Sequence, residues 1–225
     1  MIPISDENPS RTAPVVTWSI IGGCVLVFLW QLSLGEDGEA TIRSLGFTPA
    51  YFFDRGGAGQ WLTILTSMFL HGGLMHLGGN MLYLWIFGNN VEDAMGHARF
   101  LGFYLVCGVA AALAQAMAEP GTTIPMVGAS GAISGVLGAY VLIYPRARIT
   151  VIIPLGILLY PTKISSVYVV GFWFVLQLIS AAMADPGTPG VAWLAHVGGF
   201  VAGILLTPLL SQYPLFGRHY RGPWG

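Results

Sequence analysis

The sequence predicts an all-α membrane protein, a six-transmembrane-helix bundle with a membrane-surface loop between helices 1 and 2. Three observations carry this reading. The 225 residues are 55% hydrophobic and only 8% charged, against roughly 25% charged in soluble domains, and mean hydropathy is +0.71. Six apolar stretches can be drawn near the roughly 20 residues that cross a bilayer. The cations then divide unequally between the two ends of the bundle, as the positive-inside rule requires.

Residues 1–14 are polar and hold Pro3, Pro9 and Pro14, which reads as an unstructured tail. Residues 15–34 carry no charge and make the first span. Residues 35–60 mix Glu36, Asp37, Glu39, Arg43, Asp54 and Arg55 with Phe47, Tyr51, Phe52 and Phe53, which suits a folded loop lying on the membrane. The run 61–87 is too long for one straight crossing. It divides into an interfacial piece, 61–70, and a second span over about 73–89.

A polar turn follows at 89–98, then an alanine-rich third span at 99–117, a loop at 119–126, and a fourth span at 127–144 ended by Pro145. Residues 149–160 are too few to cross and contain Pro154, so they read as a surface or re-entrant loop. Residues 165–183 and 191–210 are the fifth and sixth spans, joined by a tight turn at 184–190. The expected division is a tail, 1–14, a six-helix domain, 15–210, and a basic tail, 211–225. With six spans, one side carries Arg11, Arg99, Arg146, Arg148, Lys163, Arg218 and Arg221, and the other only Arg43 and Arg55. Both tails are therefore expected in the cytoplasm, with the lipid bilayer as the first partner.

Composition also excludes classes. A net charge of −1 leaves no basic field for nucleic acid. Cys24 and Cys107 lie inside apolar runs and form no metal-type spacing. His71 and His76 are not spaced as His-Glu-x-x-His, and no acid lies within a span, so no metal and no cofactor are expected.

What remains are polar groups at one level of the bundle. Ser130 opens the fourth span within Gly128-Ala129-Ser130-Gly131. There the free N–H groups and positive end of a helix favour developing negative charge. His71, His76, Asn80 and His196 lie near the outward ends of their spans, and such residues in lipid point to function. His76 and Asn80 share a helix face one turn apart. Gly131 and Gly135 repeat the Gly-x-x-x-Gly spacing of Gly199 and Gly203, which lets helices approach closely. If those faces meet, Ser130 and His196 come within reach, and a hydroxyl beside an imidazole is the arrangement that activates serine. The same small residues also suit plain helix packing, and the two readings are compatible. A transporter lined by the histidines would spread polar groups through the full depth, whereas these gather near one end.

With His71-Gly-Gly-Leu-Met-His76-Leu-Gly-Gly-Asn80, Gly128-Ala-Ser130-Gly131 and Ala195-His196-Val-Gly-Gly199 in this order, the chain resembles the rhomboid family of intramembrane serine proteases. The resemblance covers nearly all of residues 60–210. It implies that Ser130 is the nucleophile and His196 its general base. It also implies that His76, Asn80 and the Ser130 N–H stabilise the oxyanion, and that the fifth helix and the turn after it admit substrate from the lipid. His71, Gly128 and Ser134 are expected to line the same mouth. The substrates implied are single-span transmembrane proteins, cut near the outer end of the span after a small residue, and the setting a bacterial or archaeal inner (cell) membrane.

The sequence departs from the family in two places. Leu62-Thr63 stands where many members have Trp-Arg, and Ser134 stands where members often place an aromatic that packs on the histidine. The acids all fall outside the spans, so a Ser130–His196 dyad without a carboxylate partner is expected.

Overall fold

The computed structural model describes residues 1–156, 158–185, 188 and 190–216. In chain order the elements are strand β1 (Ile2–Asp6) and helices α1 (Val15–Ser33), α2 (Gly38–Leu45), α3 (Pro49–Arg55), α4 (Ala58–Ser67) and α5 (Leu74–Tyr83). Helices α6 (Asn89–Met95), α7 (His97–Ala118) and α8 (Ser130–Ile143) follow, then strands β2 (Arg148–Leu155) and β3 (Leu158–Ser165), and finally α9 (Ser166–Met183) and α10 (Trp193–Leu210). Among the described residues four helices, α1, α7, α9 and α10, are long and apolar enough to cross a membrane.

Helix α5 runs into α6 through a π-helical stretch, Leu84–Gly88, so of the expected turn at 89–98, residues 89–95 are instead the last part of a continuous helical rod and His97 already starts α7. Asn89 and Asn90 are weak helix formers, but the fully buried Val91, Glu92, Ala94 and Met95 give the segment a packed face that overrides propensity. Gly96, at φ 79°, ends it.

Helix α8 is the centre of the molecule. Every residue from Gly131 to Tyr140 is buried, which is why its sequence is apolar all round rather than striped. The side chains of Phe87, Phe103, Tyr104, Leu137 and Tyr140 pack the core around it. On the α10 side the packing is backbone on backbone. A Cβ on Gly199 would overlap the carbonyl oxygen of Gly131, and one on Gly203 would overlap that of Gly135. The two glycine faces do meet.

The fold is not all-α. Residues 2–6, expected in an unstructured tail, and residues 148–165, expected to contain a re-entrant loop, form a three-stranded antiparallel sheet in the order β1-β2-β3. In β2, Ile149 and Val151 are fully buried while Arg148 is exposed, the period-2 pattern of a half-buried strand. Gly156 turns the hairpin at φ 63°, and Pro161 is tolerated because β3 is an edge strand.

One end of the molecule is tied together by acids. Helix α1 starts after Pro14 without a side-chain cap of its own. The buried Glu92 carboxylate accepts instead from the N–H groups of Val16 and Thr17, at 2.9 and 2.8 Å, and from the Thr17 hydroxyl at 2.7 Å. Asp93 accepts from Thr12 and from the Tyr213 hydroxyl, and Glu7 pairs with Lys163. Residues 1–14, α6, the hairpin and residues 211–216 thus gather at one end. Arg218 and Arg221 of the expected basic tail lie outside the described residues.

Candidate active site

Ser130 is the first residue of α8. That helix has 14 residues, about 21 Å at 1.5 Å per residue, against a hydrocarbon core of about 30 Å. Its first turn can therefore lie below the membrane surface. The chain reaches Ser130 through Gly128, whose φ of +121° strains any other residue. The Gly128 N–H donates to the Ser67 carbonyl at 2.8 Å, which fixes the approach. A Cβ on Gly128 would stand 2.7 Å from His76 Cε1 and Nε2 and 3.5 Å from Asn80 Nδ2. Its absence lets α5 stand against the serine loop.

His196 lies in the first turn of α10. The glycine contact between α8 and α10 brings its Nε2 to 2.8 Å from Ser130 Oγ. Asn80 is buried, and its Nδ2 meets no acceptor among the described residues. His76, Asn80, Gly128, Ser130, Ser134 and His196 all face one cavity of about 850 Å³, bounded by α5, α8, α9, α10 and the loop before α8.

His71 does not line this cavity, contrary to expectation. It is 1% exposed, and Gln31 of α1 clamps its backbone through the His71 N–H at 3.1 Å and carbonyl at 3.2 Å. Its Nδ1 donates to the Phe69 carbonyl at 3.1 Å, and its ring stands edge-on behind His76, with centroids 5.2 Å apart. A residue in the tight stretch before α5 packs under the helix it introduces rather than beside its face. Ser134 lines the cavity, and its hydroxyl donates to the Ser130 carbonyl one turn back, at 2.7 Å.

The residues that hold His196 were not singled out from sequence. Gln177 of α9, buried at 5% exposure, places Oε1 2.7 Å from His196 Nδ1. The rings of Trp173 and Trp193 lie 6.0 and 6.1 Å from the imidazole, in place of the aromatic that Ser134 does not supply. Gln115 of α7 accepts from the Ala195 N–H at 3.2 Å. The available signal was an amide inside an apolar run. Gln31, Gln115 and Gln177 each lie in a helix long enough to span; Gln177 and Gln115 bond to His196 and Ala195, and Gln31 to His71 behind His76. Among the described residues no cluster of His, Cys, Asp or Glu could hold a metal ion.

Known proteins similar to this chain identify its family. The family model for the rhomboid domain matches residues 58–213. The chain is 29% identical over 201 residues to Rhomboid protease GluP of Bacillus subtilis (strain 168), covering 88% of this chain and 35% of that protein. It is 31% identical over 208 residues to Rhomboid protein 1, mitochondrial, of Saccharomyces cerevisiae, covering 88% of this chain and 54% of the relative. With RHOMBOID-like protein 5 of Arabidopsis thaliana it shares 26% over 212 residues, 94% of this chain and 63% of the relative. The chain thus spans between about a third and just under two thirds of the length of these relatives. A family model matching more than half of the chain, over the segment that holds all the long apolar helices but α1, identifies an integral multi-pass membrane protein that belongs to the rhomboid family.

Proposed function

We propose that this chain is an intramembrane serine protease, hydrolysing peptide bonds in or next to transmembrane segments of membrane proteins by a Ser130–His196 dyad. The observation that carries the reading is the 2.8 Å approach of His196 Nε2 to Ser130 Oγ in the wall of a cavity within an apolar bundle. Ser130 Oγ attacks the scissile carbonyl and forms the acyl-enzyme as His196 takes its proton and returns it to the leaving amine. Water then repeats the sequence to release the acyl group. The Ser130 N–H, His76 and Asn80 Nδ2, which has no partner among the described residues, are the donors for the oxyanion.

In this reading α1, the α5–α6 rod, α7, α8, α9 and α10 make six crossings, and α2 to α4 form the membrane-surface loop. The end gathered around Glu92 and Asp93 faces the cytoplasm of a bacterial or archaeal cell. Substrates are single-span proteins that enter past α9 and are cut after a small residue.

The test is cleavage of a model single-span substrate in liposomes, alongside labelling by a fluorophosphonate probe. The wild type cleaves and is labelled. Ser130→Ala keeps its fold, since a small residue replaces a small one, and loses both. Cleavage at an unchanged rate by the alanine variant would remove Ser130 from the mechanism. A wild type that neither cleaves nor labels would point to an inactive member that binds membrane helices, or to a transporter.

A further inference from the structure

We propose that Gln177 is a positioning residue that fixes the tautomer of His196, leaving Nε2 free to accept the Ser130 proton. The inference rests on the protease reading above and extends it to α9, a helix that contributes neither nucleophile nor base.

The orientation of the Gln177 amide is set by its own helix. Its Nε2 lies 3.1 Å from the carbonyl of Trp173, one turn back. A carbonyl only accepts, so the NH2 group belongs on that side and the oxygen faces the imidazole. Oε1 is 2.7 Å from His196 Nδ1, and an amide oxygen also only accepts, so Nδ1 carries the ring proton. In a neutral imidazole the other nitrogen is then bare. That nitrogen, Nε2, is the one 2.8 Å from Ser130 Oγ. The chain Trp173 carbonyl, Gln177 amide, His196 ring, Ser130 hydroxyl has one consistent direction of donation. Gln177 and His196 are both buried, so water is a poor substitute for the missing partner.

This is the place a carboxylate takes in a Ser-His-Asp triad. Glu119 and Asp185 line the same cavity, but among the described residues the His196 ring bonds to Gln177 and Ser130. The other titratable rings lining the cavity, among the described residues, are those of His76 and Tyr83. An amide orients the ring as a carboxylate would, without placing a full negative charge in an apolar bundle, where an unpaired ion is costly.

The test compares Gln177→Met, which keeps the shape and removes the acceptor, with Gln177→Glu, which keeps an acceptor. Both are made in the full chain in liposomes with a single-span substrate, after thermal unfolding shows that they fold. Q177M should lower kcat by about 10- to 100-fold, the size of leaving one buried donor unsatisfied, with KM nearly unchanged. Q177E should retain more activity than Q177M. A purely structural glutamine predicts the opposite order, because a buried carboxylate disturbs packing more than methionine does. Equal activity of Q177M and wild type, or Q177M above Q177E, overturns the proposal.

A second readout needs no turnover. 15N NMR of the His196 ring in wild type should show the proton on Nδ1, and Q177M should lose that preference. A wild-type proton on Nε2 overturns the proposal, and it decides the matter if Q177M does not fold. If wild type neither cleaves nor takes a fluorophosphonate, the protease reading fails, while the NMR result still judges Gln177.

Discussion

Asn80 Nδ2 is a buried donor that meets no acceptor among the described residues, and buried polar groups left unpaired call for an explanation. A donor reserved for a charge that exists only in the transition state supplies one. Two outcomes follow for Asn80→Ala. Its kcat should fall about 100- to 1,000-fold, as when one oxyanion donor is removed. Its unfolding temperature should not fall much, because Nδ2 has no hydrogen bond among the described residues to lose. A variant with wild-type kcat would take Asn80 out of the site. Ser130, His76, Asn80 and His196 were visible in sequence because each is a polar residue in an apolar run near the same end. Gln177 meets the same criterion, but an amide does no proton transfer, and its role appears only when α9 lies against α10. His71 was misplaced for a related reason. Sequence gives its distance from His76 along the chain but not the Gln31 clamp that turns it away from the cavity.

The glycine spacing of α8 and α10 was the most informative element-level feature, because backbone contact requires glycine on both sides. Gly203→Ala is a small change with a large expected effect. Its Cβ would meet the Gly135 carbonyl oxygen, Cα and carbonyl carbon together, and backbone cannot rotate away as a side chain can. The helices must separate, at about 1–3 kcal/mol for overpacking. Thermal unfolding in detergent should show the loss, and cleavage should slow even though Gly203 lies two turns from His196. Wild-type unfolding and turnover would mean that the helices do not touch there. The sheet, by contrast, was not legible. Residues 149–160 are apolar on both strand faces near the tip, so no clean alternation marks them, and β1 is a strand only because β2 offers an edge to it.

Docking of β1 carries a pH signature. Burial raises the Asp6 pKa from 3.8 to about 6, against the lowering effect of its hydrogen bond from Tyr140. The Asn90 amide also donates to it, at 2.9 Å. Between these two values the folded chain holds a proton that the unfolded chain has released. The Asp6 contribution to stability is therefore largest below about pH 4, falls as pH rises to about 6, and is flat above that. Unfolding temperature measured from pH 4 to 7 for wild type and Asp6→Asn isolates the effect. The difference should change across pH 4 to 6 in favour of the asparagine variant. A constant difference would mean that the carboxyl titrates as it does in the unfolded chain.

At the scale of the whole molecule, orientation rests on charge, and the fold supplies an independent argument that both tails lie on one side. Strand β1 pairs with β2, Thr12 and Tyr213 meet on Asp93, and the Phe216 N–H donates to the Leu142 carbonyl. Residues 1–14, the hairpin and residues 211–216 must therefore lie on one side of any membrane the bundle crosses. That side holds Arg11, Arg99, Arg146, Arg148 and Lys163, while Arg43 and Arg55 sit on α2 and α3 towards the other. The orientation proposed above, by the positive-inside rule, has the sheet in the cytoplasm and the cavity mouth outside. Single-cysteine labelling checks this with little background, because Cys24 and Cys107 are free and buried. With a membrane-impermeant maleimide on intact bacterial cells, Asp37→Cys should react at once, and Ser5→Cys only after the membrane is opened. Reversed labelling would invert the molecule. The cavity would then open to the cytoplasm, and substrates would have to be cut at the inner end of their spans.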